Sequence, residues 1–171
     1  HNEKHVLNVM TAAEFLGFGE EIFNEDILIL KTAALLHDIG FLTQYNNNEE
    51  IGAKYAQAIL PKYNFSPEQI ELIASLIIAT EPNREPKTLL EEIMKDSDLD
   101  YLGRSDFREI SHKLMNEYIE NHVVKTPLEF HEAQVKFLKT HKFYTDTAKS
   151  SRVDKKKKNI ELAVELFNSQ A

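Results

Sequence analysis

The 171-residue chain has no cysteine. That absence excludes a disulfide framework, iron–sulfur ligation and a thiol nucleophile, and it suits a reducing interior. Glycine and proline are scarce, five of each, which leaves little room for the repeated tight turns of a β-sandwich. Long apolar runs are missing as well. Ile27 to Leu30 and Ala33 to Leu36 hold four residues each, where a bilayer needs about 20. The opening stretch, His1 to His5, is polar and reads as no secretory signal. Positive charge is also in deficit: 20 Lys and Arg against 28 Asp and Glu give −8, which argues against a dedicated duplex DNA binder. These shortages leave a cytoplasmic, mostly helical chain with no membrane partner as the expectation.

What is present is helical periodicity. Val6, Val9, Met10, Ala13 and Leu16 form a stripe that Gly17 and Gly19 should stop. Ile27, Leu30, Ala34 and Leu35 form a second, running into His37-Asp38 and ending at Gly40. A third helix passes through Ile51, Tyr55, Ala58 and Ile59 to Pro61. Ser66-Pro67-Glu68-Gln69 reads as N-cap, first-turn proline and capping-box partner for a helix over Ile70 to Ile78. A further helix is expected from about Thr88 to Asp100. Ser105 can cap one carrying Phe107, Ile110, Leu114 and Tyr118, and Thr126-Pro127-Leu128-Glu129 repeats the capping logic. Ile160, Ala163, Val164 and Phe167 mark the last helix. No stretch alternates with period two for long enough to be a strand. The expectation is one all-α domain over residues 1–171.

Two metal-like phrases fail on inspection. His131-Glu132-Ala133-Gln134-Val135 begins like a zinc-protease helix but has Val135 where the second imidazole belongs. Asp96-Ser97-Asp98-Leu99-Asp100 begins like a calcium loop, yet Tyr101 replaces the turn glycine and Phe107 the bidentate glutamate. The remaining constellation is more informative. His1 and His5 lie one helical turn apart, His37-Asp38 closes an apolar helix, and an acidic cluster ends another. The His-Asp pair reads either as a helix-end hydrogen bond or as part of a cation site, which would remove the cost of burying its carboxylate. Two imidazoles and two carboxylates suit a borderline divalent ion such as Mn²⁺, Fe²⁺, Co²⁺, Ni²⁺ or Zn²⁺. Residues two apart on a helix point about 200° away from each other, so Asp96, Asp98 and Asp100 cannot all face one ion.

His1-Asn2-x-x-His5, Ala33-Ala34-Leu35-Leu36-His37-Asp38-Ile39-Gly40 and Asp96-Ser97-Asp98-Leu99-Asp100-Tyr101-Leu102-Gly103-Arg104 together resemble the HD-domain metal-dependent phosphohydrolases. The resemblance covers residues 1–108, with a helical extension over 109–171, and implies an HD-like helical bundle. Its HNxxH opening is similar to that of the cyclic-nucleotide phosphodiesterases. It implies His5, His37, Asp38 and Asp98 as metal ligands, Asp98 because Ser97-Asp98-Leu99 matches the family's small-Asp-Leu phrase. It also implies His1 as general acid to the leaving oxygen. Binuclear members carry a histidine where this chain has Asn48, and others near Ala79-Thr80-Glu81, so one divalent ion per chain is implied (Mn, Fe, Co, Ni, Zn or Mg).

The function implied is hydrolysis of a nucleotide or related small-molecule phosphoester by a metal-activated water. The alternative is a non-catalytic HD module that binds metal or nucleotide as a regulatory or interaction domain. Arg104 is a candidate to hold a phosphate oxygen. A catalytic group at a free terminus would be poorly positioned, so further residues are expected before His1. His112, His122, His131 and His141 read as surface or capping residues, and Lys155 to Lys158 as solvated first turns of the last helix. Phe130, Phe137, Phe143 and Tyr144 read as packing residues.

Overall fold

A computed structural model describes residues 3–44 and 46–170, and among them no strand occurs. Eight α-helices follow in order: α1 Glu3–Gly19, α2 Glu25–Leu36, α3 Asn48–Ile59, α4 Pro67–Ala79, α5 Leu89–Asp98, α6 Phe107–Glu120, α7 Pro127–Thr140 and α8 Asp146–Gln170. The chain is all-α, as its periodicity requires. None of the described helices is long and apolar enough to cross a membrane.

Compactness divides the chain after Leu99, earlier than the position near 108 where the sequence motifs end. The first unit contains the chain up to Leu99 together with Tyr144–Thr147; the second contains Asp100–Phe143 and the chain from Ala148 onward. In the first unit α2 is the central helix. It buries Ile27, Ile29, Leu30, Ala33, Ala34 and Leu36 and packs against α1, α4 and α5. Leu16, Ile73, Leu76, Ile77, Ile93 and Met94 complete this core. At roughly 1.5–3 kcal/mol for each large apolar side chain withdrawn from water, these contacts hold the ends of α1, α2 and α5 in fixed register.

Local signals explain most helix starts. Ser66 accepts a hydrogen bond from the Gln69 amide while the Gln69 side chain accepts from the Ser66 amide, the expected capping box. Thr88 and Thr126 accept from the amides of Glu91 and Glu129 at the starts of α5 and α7, while those glutamates accept from the amides of Lys87 and Lys125. Helix α1 ends at Gly19, the second of the two glycines expected to stop it, and a Cβ on Gly17 would meet the Ile27 side chain. Two expectations change. Helix α6 starts after Asp106, not Ser105. Helix α8 is 25 residues long, which puts the lysines in mid-helix. Lys156, expected to be solvated, is buried and donates to the His141 carbonyl beside the Phe143 ring.

In the second unit Phe107, Phe130, Leu138 and Ala163 are buried. Ser111 and Gln134 are hydrogen-bonded between α6 and α7. Asn159 donates to the carbonyls of Leu102 and Arg104. His131, expected at the surface, is 7% exposed with its Nδ1 unpaired, whereas Phe137, expected to pack, is 43% exposed.

Candidate metal centre

Three helix ends of the first unit converge on one point. His5 stands in the first turn of α1, His37 caps the C-terminus of α2, and Asp98 is the last residue of α5. Asp38 leaves the helix at φ −94°, ψ 0° and opens the short 3₁₀ turn Ile39–Leu42. Two glycines let the chain close around this corner. A Cβ on Gly40 would overlap the Asn48 carbonyl at the start of α3. One on Gly52 would press to 3.3 Å and 3.4 Å on the carbonyls of Leu36 and His37. Helix α3 thus lies directly on the end of α2 and fixes the His37-Asp38 corner.

The donor atoms are tightly grouped. His5 Nε2 lies 3.1 Å from Asp98 Oδ1 and 3.4 Å from Asp38 Oδ2. His37 Nε2 lies 3.2 Å from Asp38 Oδ1, 3.4 Å from Asp98 Oδ1 and 3.3 Å from His5 Nε2. Nδ1 of His37 sits 2.7 Å from the Ala34 carbonyl. It must donate there, so in the neutral ring Nε2 presents its lone pair to the cluster. A backbone carbonyl fixing the tautomer in this way is the usual support of a metal-bound imidazole.

The electrostatics are those of a site in which protons hold lone pairs apart. Burial disfavours a charged His37, but the hydrogen bond and charge of Asp98, with help from Asp38, prevail and raise its pKa to about 9. Burial also works against ionised Asp98, yet hydrogen bonds from His37 and His5 hold its carboxyl well below the usual carboxylate range. Asp38 moves the other way: burial raises its carboxyl more than the two imidazoles lower it.

This donor set fits a divalent ion. Metal–nitrogen and metal–oxygen bonds of about 2.1 Å separate neighbouring ligands by about 3.4 Å in a tetrahedron and about 3.0 Å in an octahedron. The separations here, 3.1–3.4 Å, match that range. His5, His37 and Asp98 alone offer three ligand atoms within 4.8 Å of one another. Among the described residues no hydrogen bond reaches the buried Asp38 Oδ2, so an acceptor in the cluster is left for a cation.

The acidic cluster is sorted by direction. Asp98 faces the imidazoles. Asp96, 0% exposed, turns away and accepts from the backbone amides of Tyr144 and Thr145 and from the Thr145 hydroxyl. Burial raises its pKa, and those bonds work against the rise. Asp100 belongs to the second unit, where Arg152 Nε donates to it at 2.6 Å. Arg104 also lies there. Its Nε and Nη2 donate to Asp106 at 3.0 Å and 2.5 Å, and Nη1 is 3.8 Å from Asp100, so its guanidinium already answers two carboxylates. His1 lies outside the described residues. Sequence reasoning passed over Lys95, whose Nζ donates to the carbonyls of Ala79 and Glu81. Its position one turn before Asp98 was the available signal.

The HD domain family model matches residues 2–100. The chain is similar to an uncharacterised protein of Clostridium beijerinckii, with 38% identity over 82 residues, 46% of this chain. That match spans about half of the relative's length, 51%. In three dimensions it is similar to the crystal structure of a predicted HD superfamily hydrolase from an uncultured Thermotogales bacterium. The TM-score is 0.63 and the identity 23%, covering 100% of this chain and 82% of that one, a likeness of fold. His5, His37, Asp38 and Asp98 all fall within the family match, which takes in more than half of the sequence, and the chain belongs to the HD-domain family.

Proposed function

We propose that the chain is a metal-dependent phosphohydrolase that cleaves a small phosphoester, a nucleotide or a close relative, with His5, His37, Asp38 and Asp98 as ligands of one divalent ion. The observation that carries this reading is the 3.1–3.4 Å spacing of donors from three helix ends. Two neutral imidazoles and two carboxylates sum to a charge of −2, which one divalent ion balances. The ion, when bound, supplies Lewis acidity toward a phosphoryl oxygen and acidifies a water.

The chain's own residues do the rest. The Ala34 carbonyl keeps the proton of His37 on Nδ1 and leaves Nε2 as a ligand. Asp98 and Asp38 bring the negative charge that holds the cation, and α3 prevents the corner from relaxing. His1, four residues before His5 in the sequence, donates a proton to the leaving oxygen. That role suits an imidazole, which exchanges protons near neutral pH.

The experiment is a screen of phosphoesters against Mn²⁺, Fe²⁺, Co²⁺, Ni²⁺, Zn²⁺ and Mg²⁺, followed by His1→Ala in the full-length protein. We expect metal content to persist and the rate to fall roughly 10²–10⁴-fold, the usual size of a general-acid contribution. The loss should shrink for nitrophenyl esters, whose leaving groups need little protonation. A protein that binds metal but turns over no ester with any ion would be a regulatory module instead.

A further inference from the structure

With one divalent ion the four donors sum to neutrality, so the centre attracts an anionic phosphate only through the Lewis acidity of the ion at its open positions. A neighbouring cation would add a net attraction to that local one. Several cations of the first unit already answer carboxylates: Lys31 is 2.8 Å from Glu14, and Arg84 is 3.6 Å from Glu81.

Lys95 differs from these. It stands on α5 one turn before Asp98, on the same side of the helix. Its Nζ donates to the Ala79 carbonyl at 3.1 Å and to the Glu81 carbonyl at 2.9 Å, at the C-terminal end of α4. Two of three ammonium hydrogens are thus fixed, and the third has no protein acceptor among the described residues. Burial disfavours the charge, and of the carboxylates that sustain it Asp98 contributes most, ahead of Glu85 and Glu81. A helix end at the surface can be capped by water at little cost. A lysine that caps these carbonyls is favoured by the dipole of α4, and here the capping lysine also stands one turn before Asp98.

We propose that Lys95 is the phosphate-holding residue of this centre: pinned by the Ala79 and Glu81 carbonyls and standing one helical turn before Asp98, its ammonium gives the neutral metal–ligand set a net positive charge and binds an anionic phosphoryl oxygen. The inference rests on the metal-dependent reading above and adds the group that selects an anionic substrate.

The test uses Mn²⁺ and inorganic phosphate, with no need of turnover. Wild type, Lys95→Gln and Lys95→Arg are titrated with Mn²⁺ by electron paramagnetic resonance. Phosphate affinity is then read from ³¹P line broadening by the bound ion, and melting temperatures are recorded alongside. For Lys95→Gln we expect Mn²⁺ affinity equal to or tighter than wild type and phosphate affinity about tenfold weaker, the scale of one charge-assisted hydrogen bond. Lys95→Arg should recover most of the loss. Unchanged phosphate affinity in Lys95→Gln overturns the inference. So does a loss of phosphate that tracks a fall in melting temperature and is not recovered by arginine, which would make Lys95 a cap of α4 only. A wild type that holds Mn²⁺ but no phosphate also overturns it, leaving the metal site intact. A wild type that holds no Mn²⁺ would instead remove the metal-dependent reading itself.

Discussion

Each unit buries a knot of polar side chains, and the two knots are resolved in opposite ways. In the second unit Asp100, 3% exposed, receives Arg152 through Nε at 2.6 Å and Nη2 at 3.5 Å, with Arg104 beyond at 3.8 Å. Every oxygen there faces a permanent donor. In the first unit His5, His37, Asp38 and Asp98 turn acceptors toward one another, and among the described residues Asp38 Oδ2 accepts no hydrogen bond, with His5 Nε2 at 3.4 Å. A carboxylate matched by a guanidinium is complete as folded. A convergence of lone pairs calls for something positive from outside, a proton or a metal ion.

Breaking the first knot should have the largest effect. His37→Ala or Asp38→Ala removes one of the four proposed ligands, and structural sites bind divalent zinc with about 10–16 kcal/mol, so affinity should drop roughly 10²–10³-fold. Asp98→Asn should behave alike, whereas Asp96→Asn should leave metal affinity near wild type and lower the melting temperature. Competition with a fluorescent chelator reads both; equal losses of affinity at 96 and 98 would mean that only net charge matters.

Breaking the second knot should cost fold and spare metal. Arg152→Met strands Asp100, and loss of one partner of a buried pair costs about 3–5 kcal/mol. Arg152 is 22% exposed, so the lower end, about 3 kcal/mol, is expected from urea unfolding, with unchanged metal stoichiometry.

The third prediction separates the knots by pH. His37 carries its proton up to about 9, and a metal must displace it. Metal affinity should therefore rise with pH, by at most about tenfold per unit between 6.5 and 9, and level off above. The metal-free protein has the opposite slope. The His37 contribution to folding is fully present below 6.5 and disappears as pH rises through about 9; that of Asp98, whose pKa is lowered, is present above 3.8 and disappears in acid. Asp38, raised by burial, offsets part of this. Chelator titrations and metal-free melting curves taken at the same pH values should diverge.

These differences bear on what the sequence makes legible. The capping box at Ser66 and Gln69 needs only neighbours in the chain and can be read directly. So can the rule that Asp96, Asp98 and Asp100 cannot all face one ion, since residues two apart on a helix point about 200° away from each other. The partner of Asp96 could not be read, because Thr145 lies 49 residues away. Nor could the burial of Lys156, whose carbonyl partner is 15 residues earlier. Side chains whose state depends on distant backbone carry no local signature.

The bond from Thr145 to Asp96 also has a consequence for how the molecule is made. The stretch that carries the family motifs is complete by residue 100, yet it encloses a carboxylate whose donors emerge from the ribosome 48 and 49 residues later. Until Tyr144 and Thr145 arrive, the end of α5 must hold Asp96 in water or protonated, and Asp98 sits only two residues beyond it. The amides and hydroxyl that Asp96 requires thus come from a segment made only after the whole of α6 and α7.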